Sequence, residues 1–238
     1  MLQAASLAVT QIFSPPFRAV LWRALGLTIA MLAAVWATVY ATFNHFVTLP
    51  WPWLQTTVEI LTGVGLVIGL GFLIAPVSAM FAGLFLDDVA EAVERTYYPA
   101  DPPGVPVPTG QAILSAIRFT ALVITVNVLV LLLVLLPGIN VIAFFFANGY
   151  LLGREYFEQA AGRFHPRETV AELRNRHAAR LFFAGLGIAF ILAIPIVNLL
   201  TPLFATALMV HVHKRIVGSR PMKPATESAL ADGGRRSP

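Results

Sequence analysis

The chain has 238 residues, of which 58% are hydrophobic and 12% are charged, and its mean hydropathy is +0.77. Soluble domains carry about 25% charged residues, so this composition excludes an ordinary soluble protein and indicates several membrane segments. The chain has no cysteine, which excludes disulfides, thiol catalysis and cysteine metal sites. Its net charge of +4 fits basic loops that fix membrane orientation better than nucleic-acid binding.

The first membrane helix is predicted over residues 19–47, approximately. A weakly amphipathic stretch at residues 4–13 precedes it and is expected at the membrane interface. Ser14 then suits the N-cap, and Pro15 the first helical position. The chain is uncharged from Ala24 to Val47, which is long enough to span a bilayer.

A second membrane helix is predicted over residues 57–86, approximately, after a loop rich in Pro and Trp. Its uncharged part, residues 60–86, would be about 40 Å long as a helix, so we expect it to tilt or to kink at Pro76. We expect the helix to continue into the acidic segment 87–98 as a solvated end. Residues 99–110 read as a proline-rich linker.

Two further apolar stretches, residues 111–160 and 178–217, each contain a Pro-x-x-Asn break. Proline fixes φ and needs no amide partner, and asparagine can satisfy the backbone of a turn. Each stretch is therefore predicted to be a helical hairpin with the break at its tip. The tip residues are Pro137 and Asn140 in the first hairpin, and Pro195 and Asn198 in the second.

The lengths of the hairpin arms bear on whether they cross the membrane. As helices, the arms 141–153, 181–194 and 199–210 would be about 18–21 Å long, and a hydrocarbon core is about 30 Å thick. The sequence therefore predicts two hemi-penetrating hairpins, which enter the bilayer and turn back. Four short, tilted spans in a thinned bilayer also fit these lengths.

Polar residues in and beside the first hairpin are candidates for a polar path. Such groups in apolar surroundings usually face protein or water. They are Asn127, Asn148, Arg154 and Glu155. Residues 166–180 then read as an interfacial helix, and residues 218–238 as a disordered cytoplasmic tail after a single membrane domain over 1–217.

The positions of the basic residues predict the topology. No Lys or Arg lies between residues 24 and 94, and all 16 lie before the first span or after the second. The positive-inside rule then places both termini in the cytoplasm of a multi-pass protein. Hairpins that enter from the cytoplasm satisfy this rule, and so do paired full spans.

The usual catalytic signatures are missing from the sequence. It contains no G-x-S-x-G, no phosphate-binding glycine loop with Lys and no H-E-x-x-H. His211 and His213 are two residues apart, which places them on different faces of a helix. We therefore expect no enzyme activity, no cofactor and no metal site.

Three segments carry a family resemblance that covers most of residues 5–217. They are FSPPFRAVLWRAL, LLPGINVIAFFFANGYLLGREYFE and ILAIPIVNLLTPLFATALMVH. In order and spacing they resemble the CysZ sulfate transporters, in the superfamily that also holds the etoposide-induced membrane proteins. The resemblance implies two long membrane helices, two hemi-penetrating hairpins, and a homo-oligomer. It also implies sulfate uptake across the bacterial inner membrane for cysteine synthesis.

The resemblance also implies a sulfate site at the start of the first membrane helix. The family binds sulfate there with a Gly-Leu-Arg motif, which aligns with Pro16, Phe17 and Arg18. Phe17, Arg18 and Ser14 are therefore the predicted sulfate-binding residues. Alternatively, Arg18 is a positive-inside anchor like Arg23. Two functions stay open: an oxyanion transporter or channel, and a non-transporting relative acting in envelope homeostasis through protein or lipid contacts.

Overall fold

The computed structural model describes residues 2–133, 139–194 and 196–222. Within these ranges every regular element is helical, as the sequence predicts. The helices are α1 (Leu2–Ile12), α2 (Pro15–Phe46), α3 (Pro52–Gly83), α4 (Leu86–Tyr97), α5 (Thr109–Leu133), α6 (Ile139–Gly162), α7 (Arg167–Arg176), α8 (Ala178–Leu192) and α9 (Thr201–Ile216), with a 3₁₀ turn at Val197–Leu200.

The chain divides into two compact units. One comprises Arg18–Phe85, and the other comprises Met1–Phe17 with Leu86–Pro238. The first of these holds α2 and α3, each 32 residues long, or about 48 Å at 1.5 Å per residue. Both contain apolar segments long enough to cross a bilayer, which confirms the two long apolar helices predicted from the sequence.

Polar and aromatic contacts join α2 to α3. The Ser78 hydroxyl donates to the Thr28 hydroxyl at 3.0 Å, and Thr28 donates to the Ala24 carbonyl one turn earlier at 2.8 Å. Further along, the Trp36 indole donates to the Gly63 carbonyl at 3.4 Å. The buried hydroxyls of Ser78 and Thr28 thus both have a partner, which stabilises them in apolar surroundings.

A turn separates α3 from the acidic segment, so the expected continuous helix is wrong. α3 ends at Gly83, and α4 begins at Leu86 as a separate helix that packs against α9. α4 is strongly amphipathic and buries one face, which includes Val89 and Val93. The acidic segment is therefore a packed element rather than a solvated helix end.

Helix α9 lies at the centre of its unit. Every residue from Thr201 to Lys214 is buried, and α1, α4, α6 and α8 all contact this helix. Ala4 and Ala8 of α1 are fully buried. A helix that is covered on all sides can find hydrogen-bond partners for its polar side chains only in its neighbours. His211 and Lys214 have such partners, whereas Thr206 and His213 have none among the described residues.

The helices of the two predicted hairpins contact each other in pairs, α5 with α6 and α8 with α9. α6 extends to Gly162, well beyond the apolar arm that ends at residue 153. The predicted interfacial helix 166–180 consists of α7, a break at His177, and the first turn of α8.

Candidate functional site

The predicted sulfate-binding residues lie at the start of α2, which begins at Pro15 as predicted. The Ser14 amide donates to the Gln11 carbonyl at 2.9 Å. Phe17 is 1% exposed, whereas Arg18 is exposed and forms no ion pair with any residue in the described ranges. The guanidinium is thus available, and the Phe17 side chain is not.

The predicted hairpin tips are described only in part, since Pro137 and Pro195 lie outside the described residues. Asn140 is in the first turn of α6. The Asn198 amide donates to the Ile194 carbonyl at 2.9 Å, and its side-chain oxygen lies 3.4 Å from the Thr201 hydroxyl at the start of α9. Ile196 has a positive φ of 69° and its side chain is 82% exposed.

The described side chains of the candidate polar path form hydrogen bonds with separate partners. Asn127 is in α5, and its side chain lies outside the description. Asn148 donates to the Phe144 carbonyl of its own helix at 2.9 Å. The Glu155 carboxylate accepts from Gln159 at 2.8 Å, and Arg154 Nε donates to Glu158 at 2.9 Å. The side chains of Asn148, Arg154 and Glu155 thus all find partners within α6.

A buried ion cluster that sequence reasoning missed connects α4 to the end of α6. Arg163 Nε donates to Glu94 Oε1 at 3.0 Å, and a second guanidinium nitrogen donates to Asp87. The Arg163 and Glu94 side chains are only 3% and 5% exposed. The other Glu94 oxygen accepts the Gly104 amide at 3.0 Å, so the cluster also fixes the linker before α5.

Gly104 fits this cluster because it lacks a side chain. A Cβ there would come within 2.9 Å of Arg163 Nε and 3.0 Å of Glu94 Oε1. The sequence held one signal of the cluster: Glu94 is four residues after Ala90, on the face of α4 that is otherwise apolar. Its partner Arg163 is 69 residues away in the chain, and no local pattern connects them.

Two histidines near the end of α9, beyond its apolar arm, have contrasting surroundings. His211 lies between the Tyr98 hydroxyl, 2.9 Å from Nδ1, and the Gln11 side-chain oxygen, 3.1 Å from Nε2. His213 stacks on Phe164 with 5.1 Å between the ring centroids, and neither of its ring nitrogens has a partner among the described residues. Burial lowers the pKa of His211 to about 4 and that of His213 to about 3.

Lys214, the residue after His213 in α9, also has polar and aromatic neighbours. Its ammonium group lies 2.9 Å from Asp101 Oδ2 and 4.1 Å from the centre of the Phe164 ring. The hydrogen bond from Lys214 lowers the pKa of Asp101. In the described part of the chain, no group of three or more His, Cys, Asp or Glu side chains could hold a metal ion. The contacts of His211 and Lys214 thus join α9 to α1 and to the segment that follows α4.

The described residues therefore define an all-helical membrane protein with two long apolar helices. Comparison with protein-family models matches residues 4–202 to the family described as Sulfate transporter CysZ/Etoposide-induced protein 2.4. The match covers most of the chain, so the protein belongs to this family, as the resemblance of the three segments predicts. No curated protein matches the chain. Membership associates the protein with sulfate-transporter-like membrane proteins in general.

Proposed function

We propose that this protein carries sulfate, or a similar oxyanion, across the bacterial inner membrane and supplies sulfate for cysteine synthesis. The observation that carries the proposal is the family match over residues 4–202. The long apolar helices α2 and α3 provide the membrane anchorage that such a transporter needs.

Arg18 is the proposed anion-binding residue, together with the Phe17 amide and Ser14. The first turn of a helix presents free amides and a partial positive charge, which favour anions. A guanidinium can hold two oxygens of one sulfate, whereas an ammonium group cannot. The Arg18 side chain is exposed and forms no ion pair among the described residues, which supports this role. The buried Phe17 side chain leaves only the backbone of that residue to contribute.

The proposed membrane architecture has both termini in the cytoplasm and two hemi-penetrating hairpins, α5–α6 and α8–α9. α8 and α9 have 15 and 16 residues, or about 22–24 Å, which is shorter than a hydrocarbon core. α5 and α6 are longer, at 25 and 24 residues, so length supports the second hairpin more strongly than the first. We propose a homo-oligomer in the lipid bilayer as the transporting form.

Uptake of radiolabelled sulfate into proteoliposomes tests this function. We expect wild-type protein to carry sulfate, Arg18→Lys to lose most of the flux, and Arg23→Lys to keep it. Both variants retain the positive charge, so a difference between them reports the loss of the guanidinium that holds two sulfate oxygens. Calorimetry with sulfate should give the same order of affinities. Equal flux in the two variants would overturn the Arg18 site, and no flux above that of empty vesicles would overturn transport.

The second candidate is a non-transporting member of the family that acts in envelope homeostasis through protein or lipid contacts. One observation favours it: the polar side chains of Asn148 and Glu155 have hydrogen-bond partners within α6, so neither needs a transported ion. This candidate predicts wild-type folding and membrane insertion without any sulfate flux in the same proteoliposomes.

A further inference from the structure

A small cleft lies where α6, α7 and the start of α8 meet. Its volume is about 100 Å³, and its polar lining comes from Tyr150, Arg154, Arg174 and Asn175. Ala178, the first residue of α8, also lines the cleft. Pockets that hold organic ligands of drug size usually exceed about 300 Å³, so this cleft suits only a small group.

The charged side chains that line the cleft are both basic, Arg154 and Arg174. Arg154 Nε and a guanidinium nitrogen of Arg174 both donate to the same atom, Oε1 of Glu158. The neighbouring carboxylate of Glu155 accepts a hydrogen bond from Gln159. Glu155 and Glu158 offset the charge of the two arginines, but neither carboxylate is among the residues that line the cleft, so the charged groups that face it are the two guanidinium groups. Each guanidinium carries five N–H donors.

The two arginines are also partly shielded from water. Their side chains are 27% and 24% exposed, in contrast to Arg176, which is 65% exposed on the same helix as Arg174. Shielding strengthens the attraction between guanidinium groups and an anion. The uncapped N-terminus of α8 at Ala178 adds a weaker contribution of the same sign.

We propose that this cleft binds a tetrahedral oxyanion, a sulfate or phosphate group, between the guanidinium groups of Arg154 and Arg174. The Tyr150 hydroxyl, which is hydrogen-bonded to Arg154, and the Asn175 amide are close enough to line the bound group. The apolar wall at Leu181 and Phe182 admits either a free anion or the phosphate of a membrane lipid. The site is separate from Arg18 and does not depend on transport.

Binding to the full-length protein in non-ionic detergent tests the proposal. The probes are sodium sulfate, sodium phosphate and short-chain phosphatidylglycerol below its critical micelle concentration, with sodium chloride of equal ionic strength as the blank. Calorimetry gives Kd for Arg18→Lys, in which the proposed transport site is weakened, and for the same background carrying Arg174→Gln, Glu158→Gln or Arg176→Gln. Arg176→Gln is the matched control because it removes the same charge from the same helix.

We expect Arg174→Gln to raise Kd at least tenfold and Arg176→Gln to leave it unchanged. Glu158→Gln should lower Kd several-fold, because it frees both guanidinium groups from the shared carboxylate; a merely structural role for Glu158 would not tighten binding. If Arg174→Gln folds poorly, the expected decrease in Kd for Glu158→Gln still tests the site. Sulfate and phosphate binding would indicate a free anion, and lipid binding alone would indicate a headgroup.

Three results would overturn the site. One is no binding of any probe above the chloride blank. Another is an equal loss of affinity in Arg174→Gln and Arg176→Gln, and the third is weaker binding in Glu158→Gln. Because every cleft measurement is made in the Arg18→Lys background, failure of the transport site and failure of the cleft give different results.

Discussion

Gly185 of α8 and Gly153 of α6 lie so close that a Cβ added to Gly185 would come within 2.7 Å of the Gly153 Cα. The same Cβ would lie 2.0 Å from the Gly149 carbonyl oxygen. These neighbours are backbone atoms, which cannot rotate away as a side chain can. Close approach of two helix backbones through small residues is a common way to pack membrane helices, and here it joins one helix from each predicted hairpin.

Gly185→Ala should therefore destabilise the protein by about 1–3 kcal/mol or more, the usual cost of overpacking. Gly187→Ala is the control, because it lies two residues further along α8 and a Cβ there would meet nothing within 4 Å. In a helix that change should be neutral or stabilise by up to about 1 kcal/mol. Thermal unfolding in detergent measures both. Equal melting temperatures for the two variants would show that α6 and α8 do not pack here.

The two histidines of α9 should respond in opposite ways to replacement by leucine. His211→Leu leaves the Tyr98 hydroxyl and the Gln11 side chain without their partner, at a cost of roughly 1–3 kcal/mol per buried group. His213→Leu removes two buried nitrogens that have no partner among the described residues, so it should be neutral or stabilising. Thermal unfolding in detergent at pH 7.5 compares the two variants. A larger decrease in melting temperature for His213→Leu than for His211→Leu would contradict the hydrogen bonds assigned to His211.

Stability should fall as the pH is lowered from about 6.5, the ordinary pKa of histidine. The pKa of folded His213 is lowered to about 3 and that of His211 to about 4, so the unfolded chain takes up protons first. The unfolding free energy therefore decreases between about pH 6.5 and these folded values. His213→Leu should make the decrease shallower. A wild-type melting temperature that is flat from pH 7 to 4.5 would contradict the prediction.

Replacement of Arg163 should lower the free energy of unfolding far more than replacement of a surface arginine. Arg163→Met leaves Glu94, whose side chain is 5% exposed, without its ion-pair partner; breaking a buried pair costs about 3–5 kcal/mol. The control is Arg176→Met, whose pair with Glu172 is 65% and 66% exposed and contributes about 0.5 kcal/mol or less. Melting in detergent compares the two. Similar losses would mean that the Arg163 cluster is solvated.

Local signals in the sequence predicted the two long helices and the start of α2. The uncharged runs identify α2 and α3, and the Pro-Pro pair after Ser14 marks a helix start at Pro15. The uncharged runs alone mark less than the full helix, because α6 continues past its apolar arm through Arg154 and Glu155 to Gly162, close to the predicted hairpin end at about residue 160. Charged residues with partners on the same helix extend it beyond the apolar segment.

The ion pairs and the helix burial that the sequence did not predict depend on residues far apart in the chain. The sequence predicts a solvated helix end at Asp87 and Glu94 because Arg163, which pairs with both, lies in the turn after α6, far away in the chain. Composition also cannot distinguish a helix covered by lipid from one covered by protein. Residues 199–210 looked like a membrane arm, yet α9 is buried by neighbouring helices from Thr201 to Lys214. The depth of the hairpins in the bilayer stays a prediction.

Cysteine labelling tests that depth directly, because the natural chain contains no cysteine. Ile196→Cys places a thiol at the turn of the second hairpin, where the native side chain is 82% exposed. If the hairpin turns back within the bilayer, as the 15 and 16 residues of α8 and α9 suggest, a membrane-impermeant maleimide added outside should not reach it. Gly138→Cys, in the predicted tip of the first hairpin, should likewise not react with the maleimide added outside.

Two controls make this labelling decisive. Thr48→Cys lies in the exposed loop between α2 and α3, which the distribution of basic residues places outside, and it should label in intact cells. After solubilisation in detergent, Ile196→Cys should react as fast as Thr48→Cys, which separates shielding by lipid from burial in protein. Rapid external labelling of Ile196→Cys in intact cells would instead require α8 and α9 to cross the bilayer. Because each is only about 22–24 Å long, that result would imply locally thinned lipid around this unit.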